Sequence, residues 1–478
     1  MWSTPRLGPL VVGQALAGGR VSALARGPGQ VQVTVALGDG QPVVFELVTA
    51  PAAPGPFAAL PALSYRPTPA GFAAFRAVGD ALASALAPHW PAITHVAWPD
   101  AIDGLGEDVA ATLPLRALLS DEALARRACV APWTRLEYGA RPTIGPCCAD
   151  FQVAPAAESG APLALWHGPA MRGFRRALAS ADAGATCRAS CPRLRGRTDT
   201  LATLVARGGP AAFRANQIAV IASILDGAER PATTPLEVVF PATSFCNYDC
   251  LMCSHGATGT LADERPPAFY AALAAIAPGL GRIEVLGGEP LASPVFRAVL
   301  AGETFAAAPQ LEVALTTNGS YLTPAELARY RHVRLGHVTV SLNAATAATY
   351  QAVNRGLPWA RVRPNLDALL AAHRAARNPR AITYSMVILR ANLHEVEAFA
   401  ALAEADDVAV RFMLPMHDRN QQSILTDAAA MDAAQAALAT VAARLRARGR
   451  DREATRADGE RAVLAARLAR GIVRALPD

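Results

Sequence analysis

Three thiols on one short loop constrain this chain more than any other feature. Cys246-Asn247-Tyr248-Asp249-Cys250-Leu251-Met252-Cys253 sets cysteines at spacing C-x3-C-x2-C, directly after the apolar run Leu236-Glu237-Val238-Val239-Phe240. Such a run reads as a buried strand, so the fold must present the loop at a strand end. An iron–sulfur cube that only carries electrons takes four thiolates, and a loop offering three leaves one iron open to another ligand. A structural zinc site is the alternative these residues leave open, with His255 close enough in sequence to complete a tetrahedron.

Composition narrows what surrounds that loop. At 478 residues the chain is long enough for two to four domains, each with its own core. Its 52% hydrophobic content and mean hydropathy of +0.21 look membrane-like. Ala, Gly and Pro make up much of that character, however, and uninterrupted apolar runs such as Ile218-Ala219-Val220-Ile221-Ala222 are far too short for a span. No transmembrane helix is expected, and with no secretory pattern after Met1-Trp2-Ser3-Thr4 a cytoplasmic location is expected. Eight cysteines grouped in motifs then read as metal or cluster ligands rather than a disulfide framework. All 45 basic residues are arginine, so lysine Schiff-base chemistry is excluded. The net charge of +6 is spread along the chain, and Asp451, Glu453, Asp458 and Glu460 interrupt the arginine charge of the C-terminal segment. A nucleic-acid partner is therefore not expected.

In chain order, residues 1–115 open with strand signals at 21–25, 31–37 and 43–48, the last two joined by the turn Gly38-Asp39-Gly40. They predict a small N-terminal β-rich domain, followed by a helix over 69–88. Residues 116–205 carry the other five cysteines: Cys129-Val130-Ala131-Pro132-Trp133, Pro146-Cys147-Cys148, and Cys187-Arg188-Ala189-Ser190-Cys191, with Trp166 between. Cys129, one of Cys147 and Cys148, Cys187 and Cys191 supply four thiolates, enough to ligate a cube fully, and four-thiolate zinc is the other reading. Residues 206–232 look like a helical connector, 213–225 being capped before Gly227, and 426–478 read as helices.

The core, 233–425, alternates short apolar strands with helical stretches. Strands are expected at 236–240, 282–286, 311–315, 337–340, 381–386 and 408–412, a βαβα pattern suited to an α/β fold with a partial (β/α)6 barrel of TIM type. Loops at the carboxyl ends of parallel strands share one face. Strand one leads into the thiols, strand two into Gly287-Gly288-Glu289-Pro290, strand three into Thr316-Thr317-Asn318-Gly319, and strand four into Ser341-Leu342-Asn343, followed by Tyr350 and Arg355-Gly356. The glycines suit a close backbone approach to a ligand, and Glu289 suits an ammonium group. Thr317 and Asn318 also fit a plain Asn-Gly turn. Ser341 and Asn343, two apart, are expected on one face of their strand.

The spacing of Cys246, Cys250 and Cys253, with Gly-Gly-Glu-Pro one strand later, resembles the radical S-adenosylmethionine (radical SAM) superfamily. The resemblance implies a [4Fe-4S] cluster whose open iron binds SAM, with Gly287, Gly288, Glu289 and Pro290 at the SAM amino group. It further implies that Thr317, Asn318, Ser341 and Asn343 lie in the SAM site and that Arg355 pairs with the SAM carboxylate, although a solvated arginine reads equally well there. The implied chemistry is reductive cleavage of SAM to a 5′-deoxyadenosyl radical that takes hydrogen from a substrate. An electron donor such as flavodoxin or ferredoxin is implied as partner. The segment with Cys129, Cys147, Cys148, Cys187 and Cys191 resembles SPASM or twitch regions, here preceding the core, and implies a second, auxiliary [4Fe-4S] cluster. Relatives with such regions often modify peptides, so peptide maturation is the expected function, with small-molecule dehydrogenation or rearrangement as the alternative and a cluster-binding electron-transfer protein as the reading from another class.

Overall fold

The computed structural model describes residues 129–139, 143–147, 161–179, 208–253, 264–416 and 419–471, with short strand segments at 154–155 and within the first 63 residues. Six strands run in order: β1 Glu237–Pro241, β2 Arg282–Leu286, β3 Glu312–Thr317, β4 Leu335–Ser341, β5 Ala381–Val387 and β6 Ala409–Met413. Each pairs in parallel with the next. This is the expected mixed α/β architecture with a partial barrel, and each strand falls within a residue or two of its apolar run.

Side-chain alternation explains which face is which. Ile283, Val285, Val338 and Val340 are buried, whereas Arg282, Glu284 and Leu286 in β2, and His337, Thr339 and Ser341 in β4, are only half-buried on the opposite face. Register places Thr316 beside Thr339 and Thr339 beside Thr383, and sets Ser341 beside Ser385. The inner face of the barrel is therefore a ladder of hydroxyls. At its lower end the His337 ring nitrogen lies 2.8 Å from the Thr383 hydroxyl. Burial pushes His337 down to about 4, helped by the guanidiniums of Arg282, Arg456, Arg411 and Arg452.

On the outer face, β1 is locked by aromatic packing. The Phe240 ring lies 4.9 Å from Phe269, 5.9 Å from Tyr270 and 6.5 Å from Phe296, so the strand that leads into the thiols is pinned by the helices Pro267–Ile276 and Pro294–Ala301. Full burial of a ring such as Phe240 contributes about 1.5–3 kcal/mol.

The cysteine-bearing segment, expected as a region of its own, contributes a strand to the barrel sheet. Arg135–Tyr138 runs parallel beside β1 and antiparallel to Thr143–Gly145. Arg135 bridges this edge: its guanidinium lies 3.0 Å from Glu237 and 2.7 Å from Glu137, all three buried. Burial pulls the Arg135 pKa down, but the carboxylates of Glu237, Glu137 and Glu284 more than offset it and the net direction is up.

In the first 63 residues, Gly19–Gly27, Gln30–Leu37 and Pro42–Val48 form the expected antiparallel meander. The helix expected over 69–88 lies outside the described residues. Ala211–Asp226 is helical and ends at Gly227 with φ 64°, a left-handed cap that suits glycine. The C-terminal helices are Ala428–Ala447 and Asp451–Ala469, and three arginines of this segment are paired: Arg444 with Glu404 at 2.6 Å, Arg446 with Asp458, and Arg450 with Glu453 at 2.5 Å. Among the described residues no helix is long and apolar enough to cross a membrane.

Candidate functional site

At the carboxyl ends of the strands the loops after β1 and β2 are zipped together by backbone. Ala242 N–H donates to Leu286 O, Gly288 N–H to Thr243 O, and Glu289 N–H to Phe245 O, at 3.0, 2.9 and 2.8 Å. This fit requires the glycines. Gly287 has φ +131°, and a Cβ on Gly288 would stand 2.2 Å from Phe245 O and 2.3 Å from Ser244 O. Their small size serves first the approach of one loop to another, which is what places Cys246.

A second set of contacts holds the far side of the thiol loop. Asp249 N–H donates to Arg355 O at 2.8 Å and Leu251 N–H to Val353 O at 2.9 Å, while Asn420 Nδ2 donates to Leu251 O at 2.9 Å. Inside the loop the buried Tyr248 and Tyr350 hydroxyls share a hydrogen bond of 3.0 Å. Replacing Tyr350 by Phe leaves the Tyr248 hydroxyl without that partner, and a loss of about 1 kcal/mol is expected in anaerobic urea unfolding.

Burial first of all pushes the Cys246 thiol up to about 11 and the Cys250 thiol up to about 12. Nearby negative charge adds to this, from Glu289 and Cys253 at Cys246 and from Cys246, Cys253 and Asp249 at Cys250. Thiols that resist ionisation together become thiolates when a cationic centre binds them and releases their protons. Among the described residues no group of three His, Cys, Asp or Glu side chains stands ready-made around one metal ion. His255, the fourth ligand of the zinc reading, lies outside the described residues. The donor set, three neighbouring soft sulfurs on one loop, fits an iron–sulfur centre.

Glu289 is fully buried, and its carboxylate is spent inside the protein. It accepts from Leu291 N–H at 3.1 Å and Thr317 Oγ1 at 2.8 Å on one oxygen, and from Asn318 N–H at 2.7 Å on the other. Burial raises its carboxyl to about 7, against the pull of those three donors. Through it the β2 loop fixes the backbone of Thr317 and Asn318 at the end of β3. Pro290 is buried and begins the short turn Pro290–Ala292.

The remaining expected site residues divide. Ser341 ends β4 on the inner face. Asn343 lies past the strand end with φ 59°, so the two-residue alternation that put it on the Ser341 face does not reach it. Its amide is used locally, donating to Asn354 Oδ1 at 2.8 Å and accepting from Val387 N–H at 2.9 Å. Asn354 in turn accepts from the Cys250 thiol at 3.7 Å. Arg355 faces Asp249, with Nε donating to its backbone oxygen at 2.9 Å and a 3.3 Å ion pair to its carboxylate. Both side chains are about 40% exposed, and Arg355→Ala is expected to cost under about 1 kcal/mol in unfolding free energy.

Of the other cysteines, Cys129 accepts from Ala131 N–H at 3.5 Å at the start of the turn before Arg135–Tyr138, and Cys147 is buried just after Thr143–Gly145. Cys148, Cys187 and Cys191 lie outside the described residues. Sequence reasoning missed Asn247, Ser320 and Asn354. Asn247 and Asn354 adjoin the quoted residues Cys246 and Arg355, and that adjacency was the one signal available.

The sequence profile of the Radical SAM superfamily matches residues 240–403, from β1 into the helix Val396–Ala405. Over 196 residues the chain is 33% identical to a GTP 3′,8-cyclase from Geobacter sulfurreducens, a match that covers 38% of this chain and 56% of that protein. Over 132 residues it is 31% identical to an AdoMet-dependent heme synthase from Methanosarcina barkeri, covering 26% and 36%. The chain thus spans about half, or less, of the curated relatives it matches. The solved structure of anSMEcpe with bound AdoMet and Cp18Cys peptide aligns at 13% identity over 45% of this chain and 62% of that one, with a TM-score of 0.36.

Proposed function

Residues 240–403 are a radical SAM domain, and from that premise we propose that the protein is an enzyme that cleaves SAM reductively and takes a hydrogen atom from a substrate. One observation carries the reading: three thiols on one loop that the Gly287-Gly288 backbone grips at the carboxyl ends of the barrel strands. In this reading Cys246, Cys250 and Cys253 hold a [4Fe-4S] cluster with an open iron. When bound, that cluster supplies the electron that breaks a sulfur–carbon bond of SAM and frees a 5′-deoxyadenosyl radical.

The chain's own residues bind, orient and enclose. The loop of Gly287, Gly288, Glu289 and Pro290 takes the SAM amino group. Glu289, whose carboxylate is already engaged, acts by fixing the neighbouring backbone. Ser341 takes the ribose or carboxylate, and the half-buried inner-face hydroxyls of Thr316 and Thr339 orient a polar substrate and replace water around it. A small donor protein such as flavodoxin or ferredoxin supplies the electron.

Two substrate readings follow from different observations. The hydroxyl ladder, and the names of the relatives, support a small polar molecule undergoing oxidation or rearrangement. The cysteine-bearing segment supports peptide maturation, with an auxiliary cluster on Cys129, Cys147 or Cys148, Cys187 and Cys191. The test is anaerobic reconstitution followed by assay of 5′-deoxyadenosine under dithionite, alone and with panels of small polar metabolites and short peptides. Stimulation by one panel assigns the substrate class. A fully loaded protein that gives no 5′-deoxyadenosine under any of these conditions overturns the proposal.

A further inference from the structure

We propose that Asn318 is a positioning residue that raises the reduction potential of the cluster on Cys246, Cys250 and Cys253, by donating an amide hydrogen bond to the Cys246 sulfur. The inference rests on the cluster reading above. It differs from the sequence expectation, which placed Asn318 against SAM.

The geometry fixes which end of the amide meets the sulfur. Asn318 Oδ1 accepts from the Ser320 backbone N–H at 3.0 Å and from the Ser320 hydroxyl at 2.6 Å. A backbone N–H only donates, so that end of the amide must be the oxygen. The NH2 end is thereby turned the other way, where Nδ2 lies 2.9 Å from Asn247 Oδ1 and 3.9 Å from Cys246 Sγ. Asn247 closes the ring by donating to the Ser320 hydroxyl at 3.0 Å. The Asn318 backbone is pinned to Glu289, and the residue is buried. Asn318 therefore cannot turn away when charge accumulates on the sulfur.

The Cys250 thiol is treated differently. Cys250 meets the carbonyl end of an amide, Asn354 Oδ1, which itself accepts from Asn343 while its nitrogen donates to Leu342 O. A fixed N–H dipole aimed at a ligand sulfur favours the more negative, reduced state, and hydrogen bonds to the sulfurs are among the factors that set cluster potentials. The ligand sulfur is anionic in both redox states, so only the strengthening of the bond on reduction shifts the couple, an effect on the order of tenfold in the reduction equilibrium, or about 59 mV for a one-electron couple.

The test uses the anaerobically reconstituted full chain, with iron counted and the cluster titrated with reductant by electron paramagnetic resonance. Asn318→Ala removes the donor, and Asn318→Asp keeps the acceptor for Ser320 N–H but turns an oxygen toward Cys246. At iron content equal to wild type, both are expected to lower the midpoint potential, Asn318→Ala by about tenfold in the equilibrium and Asn318→Asp by more. An unchanged potential in both variants overturns the inference. Failure of both to load a cluster that the wild type holds overturns it as well, leaving Asn318 a purely structural role. A wild type that holds no cluster contradicts the underlying radical SAM reading instead, and that result is seen before any variant is titrated.

Discussion

Replacing Cys246, Cys250 and Cys253 together by alanine is expected to remove about four irons per chain and to abolish 5′-deoxyadenosine formation under dithionite. The fold should survive the change. The bonds that seat the loop, Gly288 N–H to Thr243 O, Asp249 N–H to Arg355 O and Leu251 N–H to Val353 O between backbones and Asn420 Nδ2 to Leu251 O from a side chain, use no thiol. Burial first of all pushes the Cys246 and Cys250 thiols up in the metal-free protein, so they are neutral near neutral pH and alanine removes no charge from the apo state. Circular dichroism and urea unfolding of the anaerobic apo-proteins should accordingly coincide, while metal analysis and product assay separate wild type from variant. Iron that remains after the triple replacement belongs to the N-terminal cysteines, and zinc in its place would assign those cysteines to a structural site. Iron and product unchanged in the variant would contradict the assignment of this loop.

The barrel was legible because its strands are apolar runs set between helical stretches, so local pattern and tertiary role agree at Val238, Ile283 and Val338. The Gly-Gly-Glu-Pro loop was legible from its distance to the thiols, but the reason for its glycines was not. Nothing in the residues says that Gly288 must clear Phe245 O and Ser244 O, because that contact joins two loops far apart in the chain. The edge strand Arg135-Leu136-Glu137-Tyr138 was hidden for a similar reason. It has no apolar run to mark it, and Arg135 is buried against Glu237, a partner 102 residues away. Asn343 failed differently: the alternation rule holds only while the strand continues, and a left-handed residue ends it. Local signals therefore located the loops at the carboxyl ends of the strands, while the hydrogen bonds that organise them depend on pairings that sequence spacing does not encode.

Glu289 joins the two loops most directly, and its loss is the larger of the expected stability effects. Glu289→Ala strips the partner from Leu291 N–H, Asn318 N–H and Thr317 Oγ1 together and opens a cavity, costing about 3 kcal/mol in anaerobic urea unfolding. Glu289→Gln is no neutral replacement. Each carboxylate oxygen already faces a backbone N–H, from Leu291 on one side and Asn318 on the other, so the amide nitrogen of glutamine must meet one of them. The pH dependence separates this carboxylate from the rest of the protein. Its folded value, about 7, lies above its ordinary value of 4.5. The unfolded chain thus releases the proton first, and the native state holds more protons between those two values. The stability this group contributes is fully present below about pH 4.5 and is lost as pH rises through about 7, by about 3 kcal/mol. The variant lacks the titrating group, so the wild-type-minus-variant difference in apo-protein stability should fall across that window and level off above it. A difference that stays flat from pH 4.5 to 7 would mean that Glu289 is ionised throughout, with its three donors outweighing burial.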